Sequence, residues 1–258
     1  LNFNVSRLVG PAIGGVLLAL FGPTETLWVT SIGFLPMIFL VRKIAIRPRD
    51  FIERNKQNFL KALIEGFSYT RKDPFILYIF SLTICVTMIG RGLLETLPII
   101  AQGVFKTGPN ELGFLTASAG AGAILASFAK AAGKPQQAGV VGTFGVLSSI
   151  IVPITIILIG LSRDILITAC LVALLGFATT FFATTMQSAA QLQLTDEFRG
   201  RVMSLWTMIA MGGAAIGALL LGAISEILGI SFTFLLLGGF TTMITTVILM
   251  FVRLSNLR

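Results

Sequence analysis

Six apolar stretches constrain this chain more than any other feature: Phe75–Val104, Leu112–Ala129, Ala138–Leu161, Ile165–Met186, Val202–Leu221 and Phe232–Val252. A helix rises about 1.5 Å per residue and a bilayer's hydrocarbon core is about 30 Å thick, so about 20 apolar residues suffice to cross it. Two shorter pieces come first, Leu8–Phe21 and Leu27–Val41, separated by the polar turn Gly22-Pro23-Thr24-Glu25-Thr26. Taken alone these two read equally well as core helices of a soluble protein. Beside six longer runs they read as spans, which brings the expected total to eight. Composition agrees, because only 12% of residues are charged and 55% are hydrophobic, against a charged share of about 25% in soluble domains. A membrane barrel is disfavoured, since no sustained alternation of apolar and polar residues occurs. The expected fold class is therefore an all-α polytopic membrane protein.

Charge sorts the loops. The segment between Val41 and Phe75 carries Arg42, Lys43, Arg47, Arg49, Arg54, Lys56, Lys61, Arg71 and Lys72 against Asp50, Glu53, Glu65 and Asp73. Cytoplasmic loops are enriched in Lys and Arg, so this segment is expected inside. Alternation then puts Lys106–Glu111, Ser162–Asp164 and Glu226–Ile230 outside, and Lys130–Lys134, Asp196–Arg201 and Arg253–Arg258 inside. Both chain ends face the cytoplasm on this reading. The net charge of +8 follows from orientation and from attraction to lipid headgroups. Nucleic acid is not an expected partner, because the basic residues are spread along membrane edges rather than gathered in a fold of their own.

The long basic segment is also a boundary. Within residues 50–71, Phe51, Phe59, Leu63 and Phe67 recur among charged residues, which suits a helix lying in the membrane interface; the alternative is an amphipathic start to the next span. Two spans precede the segment and six follow it. An internal echo gives that imbalance meaning: Gly10–Gly22, GPAIGGVLLALFG, is similar to Gly213–Gly229, GAAIGALLLGAISEILG, and each leads through a polar turn into a span ending in basic residues. The two helix pairs read as one unit used twice, the first closing one half of a transporter and the second closing the other.

Three stretches carry a resemblance to a known family: SRLVGPAIGG at Ser6–Gly15, the basic central segment, and LTDEFRGRVMSLWTMIAMGGAAIGALLLG at Leu194–Gly222. They resemble the major facilitator superfamily, in the branch of enterobactin exporters, macrolide efflux pumps and transmembrane secretion effectors. The resemblance covers the whole chain and implies a partial fold of that type. Residues 1–41 would be the last two helices of the N-terminal half, 42–74 the cytoplasmic linker with its interfacial helix, and 75–258 the six-helix C-terminal half. The first four helices of such a fold are absent from this sequence, so the chain reads as a fragment or a truncated product, with those helices as its missing partner. The superfamily's charged loop motif is only partly present in GAILASFAKAAGKPQ at Gly122–Gln136, because Ala126 or Ala129 stands where an acidic residue is expected. Lys134 is then a gating candidate, or Lys130 and Lys134 meet lipid phosphates.

Charges within spans are few enough to name. Arg91 and Glu95 sit four residues apart and share a helix face. A charge in the hydrocarbon core is costly and marks a pathway or a paired site. They are candidates for the substrate and proton pathway; mutual neutralisation is the structural alternative. Gln187 and Gln191 share another face, near Thr184, Thr185, Ser188 and Gln193, and either line the inner mouth of that pathway or lock helices together. The elbow Asp196, Glu197, Arg199, Gly200 and Arg201 is the gating candidate: the acidic pair can engage Arg199 and Arg201 or basic groups of the central segment, while Gly200 permits a tight helix start. Gly10, Gly14, Gly213 and Gly217 are helix-packing candidates.

Enzyme chemistry has little support. The chain has no His, which removes imidazole bases and imidazole metal sites. Cys85 and Cys170 stand alone in separate spans, and no nucleotide fingerprint occurs. Neither a cofactor nor a metal is expected. The resemblance implies proton-coupled export of a small or medium-sized organic compound, a siderophore or a hydrophobic drug, with protons and membrane lipids as the other partners. The alternatives are a lysophospholipid flippase-type transporter and a non-transporting membrane scaffold or remnant.

Overall fold

The computed structural model describes residues 17, 21–43, 59–105, 109–133 and 136–254. Ten helices lie among them: α1 (Pro23–Gly33), α2 (Leu35–Lys43), α3 (Phe59–Lys72), α4 (Pro74–Glu95), α5 (Leu97–Gly103), α6 (Pro109–Ala132), α7 (Thr143–Leu161), α8 (Ile165–Gln193), α9 (Asp196–Leu228) and α10 (Ile230–Leu254). Seven long apolar helices among the described residues suffice to cross a membrane by length and composition: Thr24–Arg42, which joins α1 and α2, then α4, α6, α7, α8, α9 and the Ile230–Phe251 part of α10. The chain is thus an all-α polytopic membrane protein. Most of the expected span Leu8–Phe21 lies outside the described residues, as do Gly10, Gly14 and Lys134.

Several boundaries differ from those expected, each for a local reason. The run Phe75–Val104 is two helices, because α4 ends at Glu95 and α5 begins with Pro98 near its start. Proline has no N–H to donate and suits a first helical turn. Pro23 begins α1 for the same reason, so the expected Gly22–Thr26 turn is instead a helix start whose N-cap Gly22 has φ 85. The elbow Asp196–Arg201 is not a loop: it forms the first turns of α9, where Asp196 and Glu197 lie in the favourable field of the helix N-terminus. The run from Ala138 becomes helical only at Thr143, after an irregular stretch in which Gly139 has φ 73.

Aspartate caps start two of the central helices. Asp73 Oδ1 accepts from the backbone N–H of Phe75 at 2.9 Å and of Ile76 at 3.2 Å. Asp164 Oδ1 does the same for Leu166 at 2.8 Å and Ile167 at 3.0 Å. Both satisfy donors that a helix start otherwise leaves orphaned. Asp73 Oδ2 also accepts from Gln193 Nε2 at 3.2 Å, which ties the end of α8 to the start of α4. This end of the bundle, with Arg71, Lys72, Lys130, Arg199 and Arg201, is its basic end.

The six helices α4 and α6–α10 pack as two crossed sets of three. The most extensive contacts join α6 to α8 and α4 to α9, followed by α7 with α10 and with α8. Exchanging α4 with α8, α6 with α9 and α7 with α10 maps the first two contacts onto each other, as expected of a 3+3 inverted repeat. Both crossings are built from glycine on each side. A Cβ on Gly217 of α9 would overlap the Met88 carbonyl of α4, and one on Gly92 would come within 2.7 Å of Gly217 C. At the other crossing a Cβ on Gly122 of α6 would overlap the Ala173 carbonyl of α8, and one on Gly176 the Ala119 carbonyl of α6. Gly213 faces Thr87 Oγ1, 3.2 Å from where its Cβ would stand. Lipid offers no hydrophobic drive to association, so close backbone approach supplies the contact. One apolar core cluster holds Leu82, Val86, Val152, Ile156, Val172, Leu175 and Phe182, all fully buried. Buried threonines there are self-satisfied: Thr83, Thr87, Thr155 and Thr179 donate to the carbonyl four residues back.

Candidate functional site

Pro74, Phe75 and Cys85 apart, the residues of α4 that are not buried form one open stripe: Leu77, Ser81, Ile84, Met88, Arg91 and Glu95 are exposed or half-buried. Their spacing of three and four residues is the signature of a single helix face. Arg91 is half-buried, and its Nε is shielded from solvent without a hydrogen-bond partner among the described residues. Glu95 is exposed, one turn further on. The two share a face but form no ion pair, the described pairs lying at Arg199–Asp196 and Arg201–Glu65. A guanidinium on an apolar helix can receive an acidic or hydrogen-bonding solute.

On α8, Thr180, Thr184, Gln187 and Ser188 are half-buried and Gln191 is exposed, again at helical spacing. Thr184 and Ser188 return their hydroxyls to carbonyls of their own helix, at 2.8 Å each. Gln187 and Gln191 have no hydrogen-bond partner among the described residues, and both lie in the last two turns of α8, which ends at Gln193. Thr185, expected with this group, faces the other way and is buried.

The basic end holds a clamp between α3 and α9. Arg201 Nη1 lies 2.8 Å from Glu65 Oε2, with both side chains partly buried, and the Arg201 guanidinium stands 5.4 Å from the centroid of the Phe198 ring. Phe198 stacks on Tyr69 with centroids 4.8 Å apart. Gly66 lets the helices meet, since a Cβ there would come 3.2 Å from the Arg201 carbonyl. The acidic partner of Arg201 is thus Glu65 of the central segment, whereas the sequence pattern pointed to Asp196 and Glu197. Asp196 pairs with Arg199 at the surface, and Glu197 is exposed. Gly200 lies in ordinary helical backbone with nothing within 4 Å of a built Cβ, so its conformational freedom is not used. The pairing of Glu65 and the stacking of Tyr69 are not visible in the sequence, because both roles appear only when α3 docks on α9. The spacing Glu65–Tyr69 against Phe198–Arg201 was the available signal.

A third feature, a cavity of about 480 Å³, opens at the basic end among α6, the stretch before α7, the first turn of α7, and α8. Lys130 Nζ donates to Thr185 Oγ1 at 3.1 Å and to Gln136 Oε1 at 3.4 Å. It also lies 5.5 Å from the Phe181 ring centroid. Phe181 meets Phe144 edge-on at 6.4 Å and stacks on Phe177 at 5.9 Å. No group of three or more potential metal ligands occurs among the described residues.

Comparison with known proteins gives this geometry its context. A family model described as "Transmembrane secretion effector" matches residues 1–258. The staphyloferrin A transporter of Staphylococcus aureus (strain NCTC 8325 / PS 47) is 28% identical over 253 residues, covering 95% of this chain and 60% of that protein. The multidrug efflux pump Tap of Mycolicibacterium fortuitum is 24% identical over 250 residues, covering 92% and 58%. The enterobactin exporter EntS of Shigella boydii serotype 18 (strain CDC 3083-94 / BS512) is 26% identical over 229 residues, covering 88% and 53%. The chain thus spans little more than half the length of these relatives. The match over the whole chain and the seven apolar helices lead to one conclusion: the chain belongs to the transmembrane secretion effector family, within the major facilitator superfamily.

Proposed function

We propose that this chain forms the larger part of a proton-coupled secondary exporter that moves a small or medium-sized organic compound, a siderophore or a hydrophobic drug, out across the bacterial inner membrane. Relatives named as a multidrug efflux pump, a staphyloferrin A transporter and an enterobactin exporter support this reading. On this proposal residues 1–41 close the N-terminal half, 42–74 link the halves on the cytoplasmic side, and 75–258 form the C-terminal half. The observation that carries the reading is Arg91, held on the open stripe of α4 with its Nε unpartnered among the described residues and with the carboxylate of Glu95 one turn away. Substrate binds against Arg91 and the amides of Gln187 and Gln191, and Glu95 accepts the coupling proton. The gate is the clamp at the basic end, where Arg201 and Glu65 part when the halves rock.

The test is transport in everted vesicles by a transporter that carries this chain behind four further N-terminal helices. Glu95→Gln keeps the shape of the side chain but cannot titrate. It should abolish transport driven by a pH gradient while sparing counterflow, which needs no net proton movement. Gradient-driven transport that survives Glu95→Gln with its pH dependence intact would falsify the role given to Glu95.

A further inference from the structure

The Lys130 cavity lies apart from the stripe that carries the proposed pathway. Lys130 is an ammonium set at the inner edge of an apolar helix. Its described partners are neutral: the Thr185 hydroxyl, the Gln136 amide oxygen and the face of Phe181. No carboxylate among the described residues pairs with it. Neutral acceptors orient an ammonium without cancelling its charge, and a partly buried charge left uncompensated attracts a counter-ion from outside the protein. The space beside it is real, about 480 Å³, enough for more than a bare ion. Its far wall is aromatic: Phe144, largely exposed at the rim, stands edge-on to Phe181. Gln136 is itself held by donation of its Nε2 to the Val140 carbonyl, so the side of the site opposite Thr185 is also fixed.

We propose that this cavity is a binding site for an oxyanion, a phosphate or carboxylate, carried on an apolar or aromatic body. The oxyanion pairs with Lys130 Nζ and the body lies against Phe144 and Phe181. Two sources present that chemistry, an anionic lipid headgroup entering from the leaflet and an aromatic oxyanion dissolved in water. The assignment does not depend on the transport reading, because it concerns binding at residues outside the Arg91 stripe of α4 and the Gln187 stripe of α8.

The test uses the whole chain in nanodiscs of phosphatidylcholine. One arm measures binding of 1-naphthyl phosphate by equilibrium dialysis, with neutral 1-naphthol as control. The other measures retention of phosphatidylglycerol against phosphatidylcholine by native mass spectrometry. Lys130→Gln should weaken at least one of the two anions by about tenfold or more, the loss of one charge-assisted hydrogen bond, and leave naphthol within about twofold. Lys130→Arg, which keeps the charge, should retain binding. Dependence on Lys130 in the naphthyl phosphate arm alone assigns a dissolved solute, in the lipid arm alone a headgroup, and in both arms a seat shared by both. Three results overturn the proposal: neither anion binding the unsubstituted chain, both binding Lys130→Gln unchanged, or Lys130→Arg losing binding as fully as Lys130→Gln at an unchanged melting temperature.

Discussion

Gly217→Ala is the sharpest perturbation the fold offers. A Cβ at this position would overlap the Met88 carbonyl oxygen and stand 3.2 Å from Met88 Cα. Both atoms belong to backbone held in the middle of α4, so no side chain can swing aside. Restoring an ordinary contact requires α9 to back away from α4 by roughly 1–2 Å, and a gap of roughly half that already forfeits a quarter to a half of the dispersion attraction. The α4–α9 contact is among the most extensive in the bundle, and lipid provides no compensating hydrophobic drive. The cost should therefore reach the upper end of the overpacking range, about 3 kcal/mol. At about 2–4 °C per kcal/mol for a chain of this size, the melting temperature should fall by roughly 6–12 °C.

Fluorescence-detected size exclusion of a detergent-solubilised fusion, heated stepwise, reads this directly. Gly212→Ala is the internal control, because it lies on the same helix, five residues before Gly217, yet nothing stands within 4 Å of its built Cβ. It should be neutral or stabilising by up to about 1 kcal/mol, the helix preference of Ala over Gly. Gly122→Ala, facing the Ala173 carbonyl at the pseudo-equivalent crossing, should match Gly217→Ala. Equal melting temperatures for Gly217→Ala and Gly212→Ala would show that the helices do not approach at glycine, and the crossed-triplet packing would be wrong.

Other consequences follow from the same geometry. Gly200→Ala should raise stability slightly, by at most about 1 kcal/mol, and leave transport rates intact; a marked loss of transport would mean that Gly200 leaves the helical conformation in another state. A double-mutant cycle on Glu65→Gln and Arg201→Lys should return a coupling of about 1 kcal/mol, above an exposed pair because both groups are partly buried; zero coupling would remove the clamp. Single cysteines at residues 55 and 132, in a background without Cys85 and Cys170, should react with impermeant reagent from the cytoplasmic side, and those at 108 and 227 from outside. If 108 and 132 labelled from one side, α6 would not span.

The spans were legible because the penalty for exposing backbone in lipid leaves long helices as the simple solution, and hydropathy alone reports their length. What hydropathy could not report was where a helix continues past the apolar part. The Asp196–Arg201 elbow was read as a loop because it is charged, yet charge and helix are compatible in the first turns of α9. The same blindness shortened α8, whose last residues through Gln193 are helical although polar. Side-chain partners were harder still. Spacing put Arg91 and Glu95 on one face, which the structure retains, but face-sharing did not produce a bond between them. The Lys130–Thr185 contact joins residues 55 apart in sequence, and only the α6–α8 crossing brings them together.

The clamp and the crossing sit on one helix, and that arrangement makes their energetics informative together. From Arg201 to Gly217, α9 is continuous, a lever of roughly 24 Å at 1.5 Å per residue. Distant substitutions in a protein usually add to within about 0.3–0.5 kcal/mol. If α9 moves as a rigid rod, however, lifting it off α4 at Gly217 also withdraws Arg201 from Glu65. The ion pair is then already weakened, and Glu65→Gln costs less in the Gly217→Ala background than alone. The combined loss should fall short of the sum by up to the coupling energy of the pair, about 1 kcal/mol. Strict additivity would mean instead that α9 bends between the two contacts, and the stretch between Val202 and Gly213 would have to absorb the displacement. A rigid α9 transmits a change at the crossing to the clamp; a bending one keeps them separate.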